Sequence, residues 1–235
     1  MAKVKVKKQS TFIDMTAMSD VTVLLLTFFM LTSTFIQKEP ITVNTPASVS
    51  EIKIPETNIL TVLVDDKGKI FLGLDNPQDR VATLKAVGED YGYDFTAAQI
   101  NNFKYLATFG VPIISMAGFL DKTTEEQDKY LLDLDNNRVG IPTDSVEVKD
   151  ALGVISKDNE FKRWVSHAKK ACADRQQALV ESGVIKDDEV QPLQIAIKAD
   201  QTTDYPVIKK VMDDLRDMRE NRYLLITNLR TASSE

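Results

Sequence analysis

Residues 15–36, MTAMSDVTVLLLTFFMLTSTFI, hold a single charged side chain, Asp20. As a helix rising 1.5 Å per residue, this stretch runs to about 33 Å. That matches a hydrocarbon core of roughly 30 Å, so one membrane-spanning helix is expected, taken with its flanks as residues 13–37. Lys3, Lys5, Lys7 and Lys8 precede it, and no Lys or Arg falls between Gln9 and Gln37. The positive-inside rule then puts the N-terminus in the cytoplasm and the chain from residue 38 onward on the far side. The rival reading is a cleaved leader, which also has a basic start and an apolar middle. Against it, the run is followed by Thr32-Ser33-Thr34-Phe35 rather than a small-x-small cleavage site, and Asp14 and Asp20 are foreign to such a segment.

Asp20 is the residue that calls for explanation. A carboxylate in a spanning helix costs on the order of 2.5 to 3.5 kcal/mol on insertion scales, so it is rarely there without a use. Low-dielectric surroundings favour the neutral acid over the carboxylate, which brings proton uptake and release into range. The competing reading is that Asp20 lies close enough to the cytoplasmic interface to stay wet. Thr16 lies four residues before Asp20, and Thr27 and Thr34 follow at spacings of seven, so the four fall near one helical stripe. Threonines also bond their own backbone, and alone they carry little weight. Aligned with an intramembrane acid, they point to a hydrated path or a helix partner. A lone helix encloses no such path, so partner helices are required.

Beyond the span, residues 38–57 carry Pro40, Pro46 and Pro55 among Ser and Thr, which predicts an extended tether. Its Val43 and residues 52–54 have the character of a strand that adds to a sheet edge. Residues 59–64 and 69–74, joined by Asp65-Asp66-Lys67-Gly68, alternate as a β-hairpin. Helical periodicity appears at 78–86, 97–108, 124–132, 160–180 and 205–219, and further strands at 193–197 and 223–227. The apolar, proline-broken run 109–116 is too short to span a membrane and reads as a packed loop. In the core, the order strand, strand, helix, strand, helix, strand predicts an α+β fold of helices packed on a small sheet.

Several function classes fall away. The chain carries a net charge of -6, and its basic cluster is confined to the first eight residues, which disfavours a nucleic-acid partner. Cys172 is the only cysteine, so no internal disulfide framework exists; on an apolar helix face it reads as a core thiol. His167, the only histidine, sits among Arg163, Lys169 and Lys170 and reads as a solvated surface residue. No zinc ligand set is present. Asp133-x-Asp135-x-Asn137 faintly resembles a calcium loop, but Arg138 stands where that loop needs glycine, and Asp144 where it needs glutamate. There is no phosphate-binding glycine loop and no nucleophile elbow, so no enzyme, cofactor or metal is expected.

Three segments resemble one known family. Phe12-Ile13-Asp14-Met15-Thr16-Ala17-Met18-Ser19-Asp20-Val21 is similar to the I-N-V-T-P-F-I-D-V entrance to the single membrane helix of ExbD/TolR proteins, with Ala17 where many members carry proline. Val43-Asn44-Thr45-Pro46 resembles the family's V-N-L-P linker. Residues 197–213, with Lys198-Ala199-Asp200, Asp204-Tyr205 and Val211-Met212-Asp213, resemble its K-A-D-x-x-x-D-Y-x-x-v-x-x-V-M-D run. The resemblance implies a bacterial inner-membrane, single-pass motor subunit. Two copies would sit inside a ring of an ExbB/TolQ-like polytopic protein, and proton flow would drive a TonB/TolA-like protein that spans the periplasm. It places Asp20 on the family's protonatable aspartate and Val43, Asn44 and Pro46 on its partner-binding linker. The organisation expected is a cytoplasmic N-terminus at 1–12, the span at 13–37, a periplasmic linker at 38–57, a core at 58–74 and 157–229, an insertion at 75–156 as in longer members, and a tail at 230–235. The favoured role is energised outer-membrane transport. A TolR-like role in envelope integrity, a peptidoglycan-binding anchor and a secreted soluble protein stand as alternatives.

Overall fold

The computed structural model describes residues 15–32, 43–48, 57–133, 136, 138–144, 146–149, 155–226 and 228–229. The chain divides into two units, residues 1–37 and 38–235. Among its described residues the first holds one helix, α1 (Met15–Thr32), of 18 residues and about 27 Å, with every residue exposed. Residues 13–14 and 33–37 of the expected span lie outside the described residues. The hydroxyls of Ser19, Thr22 and Thr32 are satisfied within the helix. Ser19 donates to the Thr16 carbonyl at 3.0 Å, Thr22 to Met18 at 2.7 Å and Thr32 to Phe28 at 2.8 Å. Polar side chains bonded in this way enter lipid without carrying an unpaired donor.

The second unit is built on the expected hairpin, preceded by a short strand β1 (Ala47–Ser48). Strands β2 (Ile59–Val64) and β3 (Ile70–Leu74) pair antiparallel. The turn between them closes with Gly68 donating to the Asp65 carbonyl at 2.9 Å, and Gly68 has φ +74°, a conformation that favours glycine. After β3 come α2 (Pro77–Tyr91), α3 (Ala97–Lys104), α4 (Ile113–Leu120) and α5 (Thr124–Leu132). A separate hairpin of β4 (Val146–Lys149) and β5 (Ile155–Asp158) leads into the long α6 (Glu160–Glu181). Then β6 (Gln194–Ala199), α7 (Tyr205–Asp217) and β7 (Tyr223–Leu225) complete a four-stranded mixed sheet in the order β3-β2-β6-β7. β6 runs parallel to both β2 and β7, which requires the helical crossovers that α6 and α7 supply.

Local chemistry sets the helix boundaries. Asn76 caps α2 by accepting from the Gln78 N–H at 2.8 Å, Pro77 fills the first helical position, and Gly92 ends the helix in the left-handed region. Asn159 caps α6 by accepting from the Lys162 N–H at 2.8 Å. The run 109–116 departs from the packed loop that its apolar, proline-broken pattern predicts. Only its first part is extended, and α4 starts at once after Pro112, whose φ of -54° is preset for a helix entrance and whose missing N–H is not needed there.

Phe109 and Leu72 exchange backbone hydrogen bonds at 2.7 and 2.8 Å, and the Ile141 N–H donates to the Ile70 carbonyl at 2.9 Å. These contacts cover the β3 edge, so all five of its residues are buried. Trp164 of α6 packs on Phe109 and Phe103, with ring centroids 4.8 and 6.2 Å away. Residues 75–156 thus contribute to the same hydrophobic core as the sheet.

Candidate functional site

In α1, the one charged residue is Asp20. At about 100° per residue, Thr16 and Thr27 lie about 40° and 20° from it around the helix, so the three share a stripe. Thr27 donates its hydroxyl to the Leu24 carbonyl at 2.9 Å. Thr34 lies outside the described residues. Val23, Leu24, Met30 and Leu31 flank the stripe, and all are exposed. The helix therefore presents its one acid and two hydroxyl-bearing residues on one side, with Ser19, Thr22 and Thr32 elsewhere around it. It is long and apolar enough to cross a membrane.

The linker residues form a second feature, within the other unit. Val43 and Thr45 are buried, while Asn44 and Pro46 are exposed. The Asn44 N–H donates to Asp200 Oδ2 at 2.9 Å, and its carbonyl accepts from the Gln201 N–H at 2.9 Å. Just beyond, β1 pairs in parallel with β8 (Asn228–Leu229). The segment read as a partner-binding tether thus lies against its own domain. Asp200 is the residue that sequence reasoning quoted without assigning a role. Its carboxylate also accepts from the Thr202 hydroxyl at 2.6 Å and the Thr202 N–H at 2.9 Å. Those two donors, and then Asn44, hold it below the usual aspartate range.

The remaining candidates have structural surroundings. His167 Nε2 lies 2.7 Å from Asp90 Oδ2, with Arg163 3.4 Å from the same oxygen, so the histidine belongs to a surface ion cluster tying α6 to α2. Cys172 is fully buried, beside Gln176 and Arg175, and burial pushes its thiol up. Of the candidate calcium loop, residues 135 and 137 lie outside the described residues; among the described ones no cluster of His, Cys, Asp and Glu is placed to hold a metal.

A family profile described as Biopolymer transport protein ExbD/TolR matches residues 7–228. The match takes in α1, the linker and the sheet domain through Asn228. No curated protein and no solved structure matches the chain.

Proposed function

This chain belongs to the ExbD/TolR family, and from that premise we propose that Asp20 is its proton-carrying residue. The family is non-enzymatic transport machinery, a stator subunit that couples the proton-motive force to transport, and membership implies ExbB/TolQ-type and TonB/TolA-type partners. The observation that carries the proposal is a single acid in a candidate membrane helix, sharing a stripe with Thr16 and Thr27.

In this reading the chain is a single-pass inner-membrane protein, with Lys3, Lys5, Lys7 and Lys8 on the cytoplasmic side and the sheet domain in the periplasm. Two copies of α1 stand inside the ring protein, whose helices complete the water path that one helix cannot enclose. Asp20 takes up a proton from the outer side and, neutral, tolerates apolar surroundings. On releasing the proton inward it needs polar partners, and Thr16, Thr27 and Thr34 mark the stripe along which these are met. Alternation between the two preferences moves the helix pair against the ring. The membrane potential supplies about 2.3 kcal/mol per charge per 100 mV, comparable to the cost of placing the carboxylate in lipid, so the coupling is energetically balanced. Val43, Asn44 and Pro46 pass the movement to the periplasm-spanning partner.

We assign the driven process to energised outer-membrane transport; the family description covers this and the TolR-type process alike. An Asp20→Asn variant should co-purify with the ring protein at wild-type yield and lose driven uptake. Normal uptake by that variant would remove the relay role. Intact uptake together with envelope leakage in a strain lacking the chain would assign it to the TolR-type process instead.

A further inference from the structure

A surface cleft of about 480 Å³ opens where α3 and α4 end and α5 begins, and the proton relay makes no use of it. We infer that this cleft binds a free amino acid as its zwitterion, with a large apolar side chain laid against Tyr105. The fold leaves three acceptors there whose other ends are tied down. Gln127 is 4 % exposed, and its Nε2 donates to the Phe119 and Lys122 carbonyls at 3.2 Å each, which leaves Oε1 without a partner among the described residues. Asn102 donates from Nδ2 to the Leu120 carbonyl at 2.9 Å, which leaves its Oδ1 open. Asp121 Oδ1 accepts from Gln99 Nε2 at 2.8 Å, and Gln99 is buried and spends its own oxygen on the Thr96 N–H at 2.9 Å. Asp121 Oδ2 remains. Two amide oxygens and one carboxylate oxygen match the three N–H donors of a primary ammonium.

The same cleft also carries positive charge. Lys122 lines it with Nζ 5.7 Å from the Tyr130 ring and makes no salt bridge among the described residues. Thr123 and Thr124 bring the start of α5 to its wall. The Thr123 N–H is taken by Glu126, but those of Thr124 and Glu125 stand in the first turn, where no helix carbonyl reaches them. A simple cation would suit Asp121 and be repelled by Lys122, and a simple anion would meet the reverse. A molecule with both charges on one carbon answers both. Tyr105 is 64 % exposed, with Lys104 Nζ 5.6 Å from its ring, and beside Leu106 it gives the cleft an apolar wall. The volume exceeds what the two charged groups need and leaves room for a side chain the size of phenylalanine.

The test uses the full chain in phosphatidylcholine nanodiscs, titrated with L-phenylalanine by calorimetry and saturation-transfer NMR. Binding at millimolar concentration is expected. N-acetylphenylalanine lacks the ammonium and phenylalaninamide lacks the carboxylate, so each should bind about tenfold weaker, the loss of one good contact. Tyr105→Ala and Asn102→Ala should each weaken phenylalanine binding to a similar extent. Lys122→Met should narrow the gap between phenylalanine and its amide. Tyr205→Ala, which removes an exposed tyrosine outside the cleft, should bind as wild type, and circular dichroism checks that each variant folds. The proposal is overturned by absent phenylalanine binding, by equal binding of either blocked analogue, by an unchanged gap in Lys122→Met, or by binding unchanged in both Tyr105→Ala and Asn102→Ala. Tighter binding of O-phosphoethanolamine would also overturn it, by assigning the cleft to a lipid headgroup. None of these readouts depends on Asp20 or on proton flow.

Discussion

Asp200 Oδ2 accepts the backbone N–H of Asn44 at 2.9 Å, joining residues 156 apart in sequence. With the Gln201 N–H on the Asn44 carbonyl, both backbone polar groups of Asn44 are taken by one loop of the sheet domain. The carboxylate form makes these bonds, and the Thr202 hydroxyl, the Thr202 N–H and Asn44 hold Asp200 below its ordinary value of 3.8. A depressed acid contributes its stability above the unfolded value and loses it as the pH falls through the folded one. Asp200→Ala should therefore speed hydrogen exchange at the Asn44 amide by about tenfold, the size of one charge-assisted bond. Acidifying the wild-type chain through the lowered value of Asp200, below 3.8, should reduce the protection of the same amide relative to its intrinsic exchange rate. Unchanged exchange in the variant would mean that the linker is held by something else.

Glu160 carries the opposite sign. Its Oε1 accepts from the Ile113 N–H at 2.8 Å and from Trp164 Nε1 at 3.0 Å, tying the first turn of α6 to the entrance of α4. Burial pushes this carboxyl above the ordinary 4.5, against the lowering pull of those two donors. The folded state thus binds the proton more tightly than the unfolded chain. The contribution is complete below pH 4.5 and is lost as the pH rises through the raised value. Glu160→Gln keeps an acceptor for both donors and removes the buried charge, so it should stabilise the domain by about 1 kcal/mol at neutral pH. That gain should vanish in urea titrations below pH 4.5. A neutral-pH loss in stability would contradict the reading.

Arg175 reaches across 96 residues to Asp79, with donor distances of 2.7 and 3.1 Å to its two oxygens, and donates to Asn58 Oδ1 at 2.6 Å. Asp79 is 1 % exposed. Removing the guanidinium leaves a carboxylate buried and unpaired, so Arg175→Ala should cost about 3–5 kcal/mol. Removing both partners should cost less than the sum of the single variants, and a double-mutant cycle on urea midpoints reads that difference. Arg175→Lys keeps the charge without the planar fork and should fall between wild type and alanine.

Two glycines should respond in opposite directions. A Cβ on Gly110 would lie 2.0 Å from Cδ1 of Phe71, a ring with no exposed surface. Gly110→Ala should therefore destabilise by about 1–3 kcal/mol. Gly118 lies inside α4 with nothing within 4 Å of its added carbon, and Gly118→Ala should stabilise by about 0.5–1 kcal/mol through chain entropy alone. Melting curves of the two variants should move apart, and equal shifts would contradict the packing described around Phe71.

What could be read from residue order was whatever is written within one or two turns of chain. The apolar run that becomes α1 shows by length, because lipid thickness demands a fixed number of residues. The β2–β3 hairpin, β6, α6, α7 and β7 show by period, since burial of one face imposes a spacing of two or 3.6. Asp20 stood out because it is the single charge in residues 15–36, which is conspicuous without any coordinates. Tertiary structure alone decided which distant surfaces meet. It placed Asn44 on Asp200 and Arg175 on Asp79, drew Phe103 and Phe109 from residues 75–156 onto Trp164, and turned the residues after Pro112 into α4. Those pairings depend on how whole faces close over one another, and no window of sequence holds both partners. A carboxylate such as Asp200 looks like any exposed loop acid until the chain that it holds has folded back beside it.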